Sequence, residues 1–194
     1  MKAKIFAVII IIALAAFVAN SAKVIDKGTE GQYTGVVAFD AAASSGSDWA
    51  KISQEITANA AEINALDLNA LGAGKAIKIY GTVSEFTSKA GGKRNSITIT
   101  PENYSGNAVF TVQLGSVYTG TSVRDTQTIK KFGDFTNQTE WSQYAKALNT
   151  QLDNEIVKPL AINDSVKGKK ITVIGAATSS GNQVNITPVS IVIE

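Results

Sequence analysis

Two stretches of this sequence, 94 positions apart, carry the same pattern. Gly74-Lys75-Ala76-Ile77-Lys78-Ile79-Tyr80-Gly81 and Gly168-Lys169-Lys170-Ile171-Thr172-Val173-Ile174-Gly175 both read Gly-Lys-x-Ile-x-(Ile/Val)-x-Gly. Apolar residues at alternate positions make half-buried strands, and a glycine in the first strand of a short curved meander suits a small barrel. The match extends outwards. Ile99-Thr100-Pro101 recurs as Ile186-Thr187-Pro188, while Gly28-Thr29 and Gly120-Thr121 lie 92 residues apart, as do Trp49 and Trp141. The shared order predicts an internal duplication, with halves over about residues 23–114 and 115–194. Each half reads as one helix plus a short antiparallel β-meander, an α+β class with a partly open barrel of OB-like character. Either half alone buries little apolar surface, so the two are expected to pack as one unit.

The segments between follow from local signals. Residues 24–39, with Gly28, Gly31 and Gly35, read as an extended arm or edge strand, and 41–47 as a loop of small polar residues. Ser47 or Asp48 is the expected cap of a helix whose stripe runs Trp49, Ile52, Ile56, Ala60, Ile63, stopped by Gly72 and Gly74. Strands are expected over 75–86, 96–100 and 109–114, with a hairpin loop over 89–95. Thr136 is the expected cap of a second helix with the stripe Trp141, Tyr144, Ala145, Leu148, Leu152, Ile156, closed by Pro159. Strands over 168–175, 184–187 and 189–193 complete the second half.

Composition narrows the chemistry. The chain has no Cys and no His. That removes disulfides, thiolate metal sites, zinc hydrolases and nucleophile–His triads, and no metal or cofactor is expected. No glycine-rich loop ends in Gly-Lys-Ser or Gly-Lys-Thr, so nucleotide phosphate cradles are missing too. Lys2 and Lys4 account for two of the 18 basic residues, leaving 16 against 16 acidic ones over residues 23–194. A nucleic-acid binder carries a basic excess to neutralise phosphates, so no nucleic-acid partner is expected. Those two lysines precede an unbroken apolar run of 15 residues, 5–19, and then Asn20-Ser21-Ala22. This is the pattern of a signal peptide over residues 1–22, or of a retained membrane anchor. Either sends the remainder out of the cytoplasm, to a periplasmic or other extracytoplasmic place. Membrane contact is expected only through this segment.

The densest polar chemistry lies between the halves, in Gly120-Thr121-Ser122-Val123-Arg124-Asp125 and Asp134-Phe135-Thr136-Asn137-Gln138. These runs, followed by Ala147-Leu148-Asn149, resemble the signature of the domain of unknown function (DUF) 2291 family, predicted periplasmic lipoproteins. Phe39-Asp40-Ala41-Ala42 with Trp49, and Gly168-Lys169, Gly175-Ala176 and Pro188-Val189, resemble its outer motifs. The family pattern reads Gly-Thr-Ala-Leu-Arg-Asp, from which Ser122 and Val123 depart conservatively. The resemblance covers nearly all of the exported chain. It implies a role beside carbohydrate ABC-type transporters, with a small carbohydrate or a transporter component as partner. It also implies a lipidated Cys, which this sequence lacks; Ala22 stands about where one would sit.

Taken by their chemistry, Arg124 is a fork for a carboxylate or sugar hydroxyls, with Asp125 beside it. Asp134, Asn137 and Gln138 are the planar polar residues that bind sugar hydroxyls, with Trp141 or Tyr144 as a stacking face. The structural alternative ties Arg124 and Asp125 into a turn and uses Asp134, Thr136 and Asn137 to cap a helix. The expected function is a non-catalytic envelope binding or interaction module. One alternative is an assembly protein working by strand addition, and another is a glycan hydrolase using two of Asp125, Asp134 and Glu140.

Overall fold

Alternating apolar positions build the strands, and the computed structural model shows how they meet. It describes residues 38–68 and 71–194. The expected signal or anchor segment, and the arm over 24–37 with Gly28-Thr29, lie outside the described residues. The elements are α1 (Ala41–Ala58), β1 (Ala61–Glu62), β2 (Lys75–Lys89), β3 (Arg94–Pro101), β4 (Val109–Leu114), α2 (Ser122–Thr126), α3 (Gln138–Leu152), β5 (Lys170–Ser180) and β6 (Gln183–Ile193). Strand β2 pairs antiparallel with both β3 and β5, β3 with β4, and β5 with β6, while β4 and β6 run parallel. The order β2-β3-β4-β6-β5 therefore returns to β2 and closes one five-stranded barrel. This corrects the expectation of a partly open barrel in each half. Strands from both sides of residue 115 are needed for closure, and each barrel strand has a neighbour on both edges.

Side chains from alternate positions fill the interior, among them Ile77, Ile79, Ile97, Phe110, Ile171 and Ile186, each essentially inaccessible. Two glycines let the sheet curl this tightly. In β2 Gly81 faces Pro101 of β3, and in β5 Gly175 faces Pro188 of β6. A Cβ on Gly81 would run into the Thr100 carbonyl and lie 2.8 Å from Pro101 Cα. One on Gly175 would meet the Thr187 carbonyl and lie 2.9 Å from Pro188 Cα. A register shift follows Ile174, so β6 carries Pro188 at an irregular step and continues to Ile193. The break expected at this proline does not occur.

Helices α1 and α3 pack on each other, and α1 also touches β5 and β6. Trp49, Ile52 and Ile56 of α1 and Tyr144, Leu148 and Leu152 of α3 are buried. The start of α1 differs from expectation: Asp40, not Ser47 or Asp48, is the N-cap, accepting the Ala43 N–H at 2.9 Å. Residues 41–47 are helical because three alanines favour the helix and Asp40 caps it, with the serine hydroxyls turned back onto carbonyls of the same helix, Ser45 to Ala42 O and Ser47 to Ser44 O. The helix ends at Asn59 rather than at Gly72, and Ile63 is buried from a separate 3-10 turn. Asn137, not Thr136, caps α3, accepting the Glu140 N–H at 3.0 Å.

The far end of α3 also departs from the simple stripe. Residues Asp153–Val157 form a π turn, followed by a 3-10 turn over Lys158–Leu160. A wider turn displaces the buried face by one position, so Val157 is buried where Ile156 was expected, and Asp153 is buried with it.

Candidate functional site

Arg124 and Asp125 sit on α2, too short to be held by its own hydrogen bonds, and side chains hold it instead. Arg124 donates through Nε to Asp125 Oδ1 at 2.7 Å, through Nη2 to Thr121 Oγ1 at 3.2 Å and through Nη1 to the Trp141 carbonyl at 3.4 Å. Its Nη2 also lies 2.6 Å from Asp125 Oδ1. Thr121 Oγ1 donates to Asp125 Oδ2 at 2.5 Å. The guanidinium lies 4.4 Å above the Trp141 ring, a cation–π contact. These bonds engage all three guanidinium nitrogens and tie α2 to the start of α3.

The other expected site residues are spread along the same loop. Asp134 accepts the Lys131 N–H at 2.8 Å, Asn137 caps α3, and Gln138 is exposed at the first turn of α3. Glu140, the third carboxylate of the hydrolase alternative, accepts the Thr136 N–H at 2.8 Å. Tyr144 is fully enclosed, donating its hydroxyl to Asp48 at 2.9 Å; burial, then this bond and the carboxylate charge, hold its pKa far above the ordinary tyrosine value. Trp141 is half-buried, with Phe135 at 5.0 Å and Phe132 at 6.4 Å between ring centres. The structure thus brings Arg124, Asp125 and Trp141 into one cluster and sets Asp134, Asn137 and Gln138 apart as turn and helix-start residues.

A different group of polar side chains gathers at the opposite end of α3. A cavity of about 240 Å³ is lined by Asn95, Leu114, Ser116, Asp153, Val157 and Lys158, among others. A second, of about 310 Å³, is lined by Ser116, Val117, Tyr118, Lys146, Asn149 and Thr150. They share Ser116, and Tyr118 of the second donates to Asp153 of the first at 3.5 Å, so they form one groove. Asp153 is 3% exposed and sits at the carbonyl end of α3, where a negative charge is disfavoured by the helix dipole. Lys158 Nζ balances it at 3.2 Å from Oδ2 and also donates to Asn154 Oδ1 at 2.7 Å. Burial, and then the Asp153 charge and hydrogen bond, push the Tyr118 hydroxyl pKa well up. Asn95 Oδ1 is enclosed and has no donor among the described residues.

Asn95, Tyr118, Asp153 and Lys158 were missed by the sequence reading. The signal for Asp153 was a carboxylate directly behind the stripe residue Leu152, with a lysine five positions on. Asn95 looked like any hairpin asparagine. Chemically, the groove offers a carboxylate, an amide oxygen, a phenol and ammonium groups beside apolar walls, a set that binds several hydroxyls at once.

Comparison with known proteins agrees with the fold. A family model described as predicted periplasmic lipoprotein (DUF2291) matches residues 10–192. No curated protein sequence matches the chain. Among solved structures, an OB-fold protein from Thermotoga maritima is similar at a TM-score of 0.57 and 16% identity, over 81% of this chain and 99% of that one. An OBody bound to hen egg-white lysozyme is similar at a TM-score of 0.35 and 13% identity, over 70% of this chain and 93% of the other. The barrel is thus an OB-fold.

Proposed function

The chain belongs to the DUF2291 family of predicted periplasmic lipoproteins, and from that premise we propose that its exported domain is a non-catalytic binding module for a small polyhydroxylated solute. The solute occupies the groove at Ser116, and the protein serves solute uptake as an accessory to a carbohydrate ABC-type transporter. One observation carries this reading: Asn95, whose enclosed Oδ1 has no donor among the described residues, is a lining residue of the groove together with the buried Asp153. An enclosed acceptor without a donor costs about 1–3 kcal/mol, and a ligand hydroxyl relieves it once the side chains around that oxygen move aside to admit it. Vicinal hydroxyls donate to Asn95 and Asp153 and accept from Lys158. The absence of a basic excess in the exported part favours a neutral ligand over a nucleic acid. The idea of two copies also stays with this reading. It is supported by a reciprocal pairing between the neighbouring strands β2 and β5, in which Ile77 meets Gly175 and Gly81 meets Ile171.

A thermal-shift screen of residues 23–194 against neutral sugars, amino sugars and small carboxylates tests the proposal. A sugar that stabilises the parent and loses its effect in Asp153→Asn is the expected result. A stabiliser that works equally on Asp153→Asn, or one lost only in Arg124→Ala, refutes the groove as the site.

A further inference from the structure

The loop between α2 and α3 exposes apolar side chains on a rigid support. Phe132 is 50% exposed and Ile129 is 38% exposed, and Lys130 and Lys131 stand between them. Such exposure is ordinary on a mobile loop, but this one is pinned throughout. The buried Gln127 side chain donates to the carbonyls of Arg124 and Lys130 at 2.9 and 2.7 Å and accepts the Lys130 N–H at 2.8 Å. The Glu55 carboxylate of α1 accepts from both the N–H and the hydroxyl of Thr128. Asp134 turns its carboxylate back onto the Lys131 N–H, and Phe132 rests edge-on against Trp141 at 6.4 Å. Neither lysine is ion-paired with a described residue.

We propose that this loop docks the domain on an anionic membrane surface, with Ile129 and Phe132 entering the headgroup region and Lys130 and Lys131 meeting lipid phosphates. Apolar side chains flanked by lysines are the pattern of interfacial binding, and the lysines favour anionic over neutral lipid. The occupant follows from the rest of the chain. An apolar segment of 15 residues precedes the described body, and residues 20–37 between them reach no further than about 60 Å when fully extended. With that segment retained, the bilayer is the apolar surface always within reach of the loop. The segment supplies one attachment and the loop a second that fixes orientation, extending membrane contact beyond the N-terminus. The groove lies at the other end of α3, about 18 Å along a rise of 1.5 Å per residue from Trp141 to Asp153, so docking leaves it open. This inference stands whether or not the groove binds a sugar.

The chain has two tryptophans, and Trp49 is only 4% exposed, so Trp141 in a Trp49→Phe background reports on the loop. The test reconstitutes the full chain into vesicles carrying brominated acyl chains, with and without anionic lipid. Trp141 emission is expected to fall about twofold on anionic vesicles, and less on neutral ones. Ile129→Ser with Phe132→Ser should abolish that quenching, while Lys130→Gln with Lys131→Gln, or added salt, should weaken it. Quenching that is absent, or unchanged in both variant pairs, overturns the proposal. So does protection of Phe132 by a protein partner with no quenching by lipid.

Discussion

The two ends of α3 use polar residues in opposite ways. At its start, Arg124, Asp125, Asp134, Asn137 and Glu140 bond to one another or to nearby backbone groups, and Ile129 and Phe132 face outward beside exposed polar residues. At its end, a carboxylate is buried against the helix dipole, and an amide oxygen is enclosed without a donor beside a cavity. The first arrangement spends its hydrogen bonds on holding a short helix and a loop in place. The second leaves hydrogen-bonding capacity for something that arrives. The lesson is that a dense polar motif need not be an available one. Availability is what local structure leaves over.

The contrast can be broken most sharply at Arg124. Arg124→Ala leaves Asp125 half-buried without its partner and should cost about 2–3 kcal/mol in urea unfolding, the partial exposure of both groups keeping it below a fully buried pair. Solute binding in the groove should survive. Loss of binding with stability intact would reverse the roles assigned to the two ends.

Alkaline titration separates them next. Tyr118 at the groove and Tyr144 between the helices both have raised pKa values, from burial first and then from Asp153 and Asp48 respectively. The folded state therefore keeps these protons while the unfolded chain releases them near the ordinary value of 10.0. Stability is fully present below that value and falls as pH rises above it. Tyr118→Phe and Tyr144→Phe should each flatten the decline by about 1.4 kcal/mol per pH unit, read from denaturation midpoints in alkaline buffers.

The smallest expected effect is the most telling. Asn95→Ala removes an unsatisfied acceptor but also the packing of a half-buried side chain, and with the two offsetting, stability should change by no more than about 0.5 kcal/mol while solute binding disappears. A large destabilisation would mean that Asn95 is structural, and the two ends of α3 would then be alike.

Much of the barrel was legible in the sequence because its signals are local. Alternation placed β2, β3, β4 and β5, and the glycines at 81 and 175 were legible as marks of a curved strand, though the backbones that approach them were not. Closure was not legible, since it depends on β4 and β6 meeting in parallel, a pairing between Val109–Val112 and Gln183–Ile186 that no short-range pattern announces. The start of α1 was missed because serine and glycine near three alanines look like a loop until Asp40 is seen capping them. The cluster around Arg124 was legible as chemistry but not as geometry. The groove was hidden because Asn95, Tyr118 and Asp153 come from separate parts of the chain and are brought together only by the closed barrel and the π turn.

That π turn has a consequence for relatives of this chain. The large apolar side chains buried along α3 and the turn after it run Tyr144, Leu148, Leu152, Val157, and the last step of five residues is one longer than a regular helix allows. Such a step is what a single inserted amino acid leaves behind. A relative one residue shorter here would continue as an unbroken α-helix, with its counterpart of Val157 four positions after that of Leu152 and still on the buried face. Its counterparts of Asp153 and Lys158 would then stand four residues apart, on one face of a regular helix. What segment length decides among members of a lineage is then the width of this turn and not the loss of the pair, and it is answerable by counting residues before any side chain is compared.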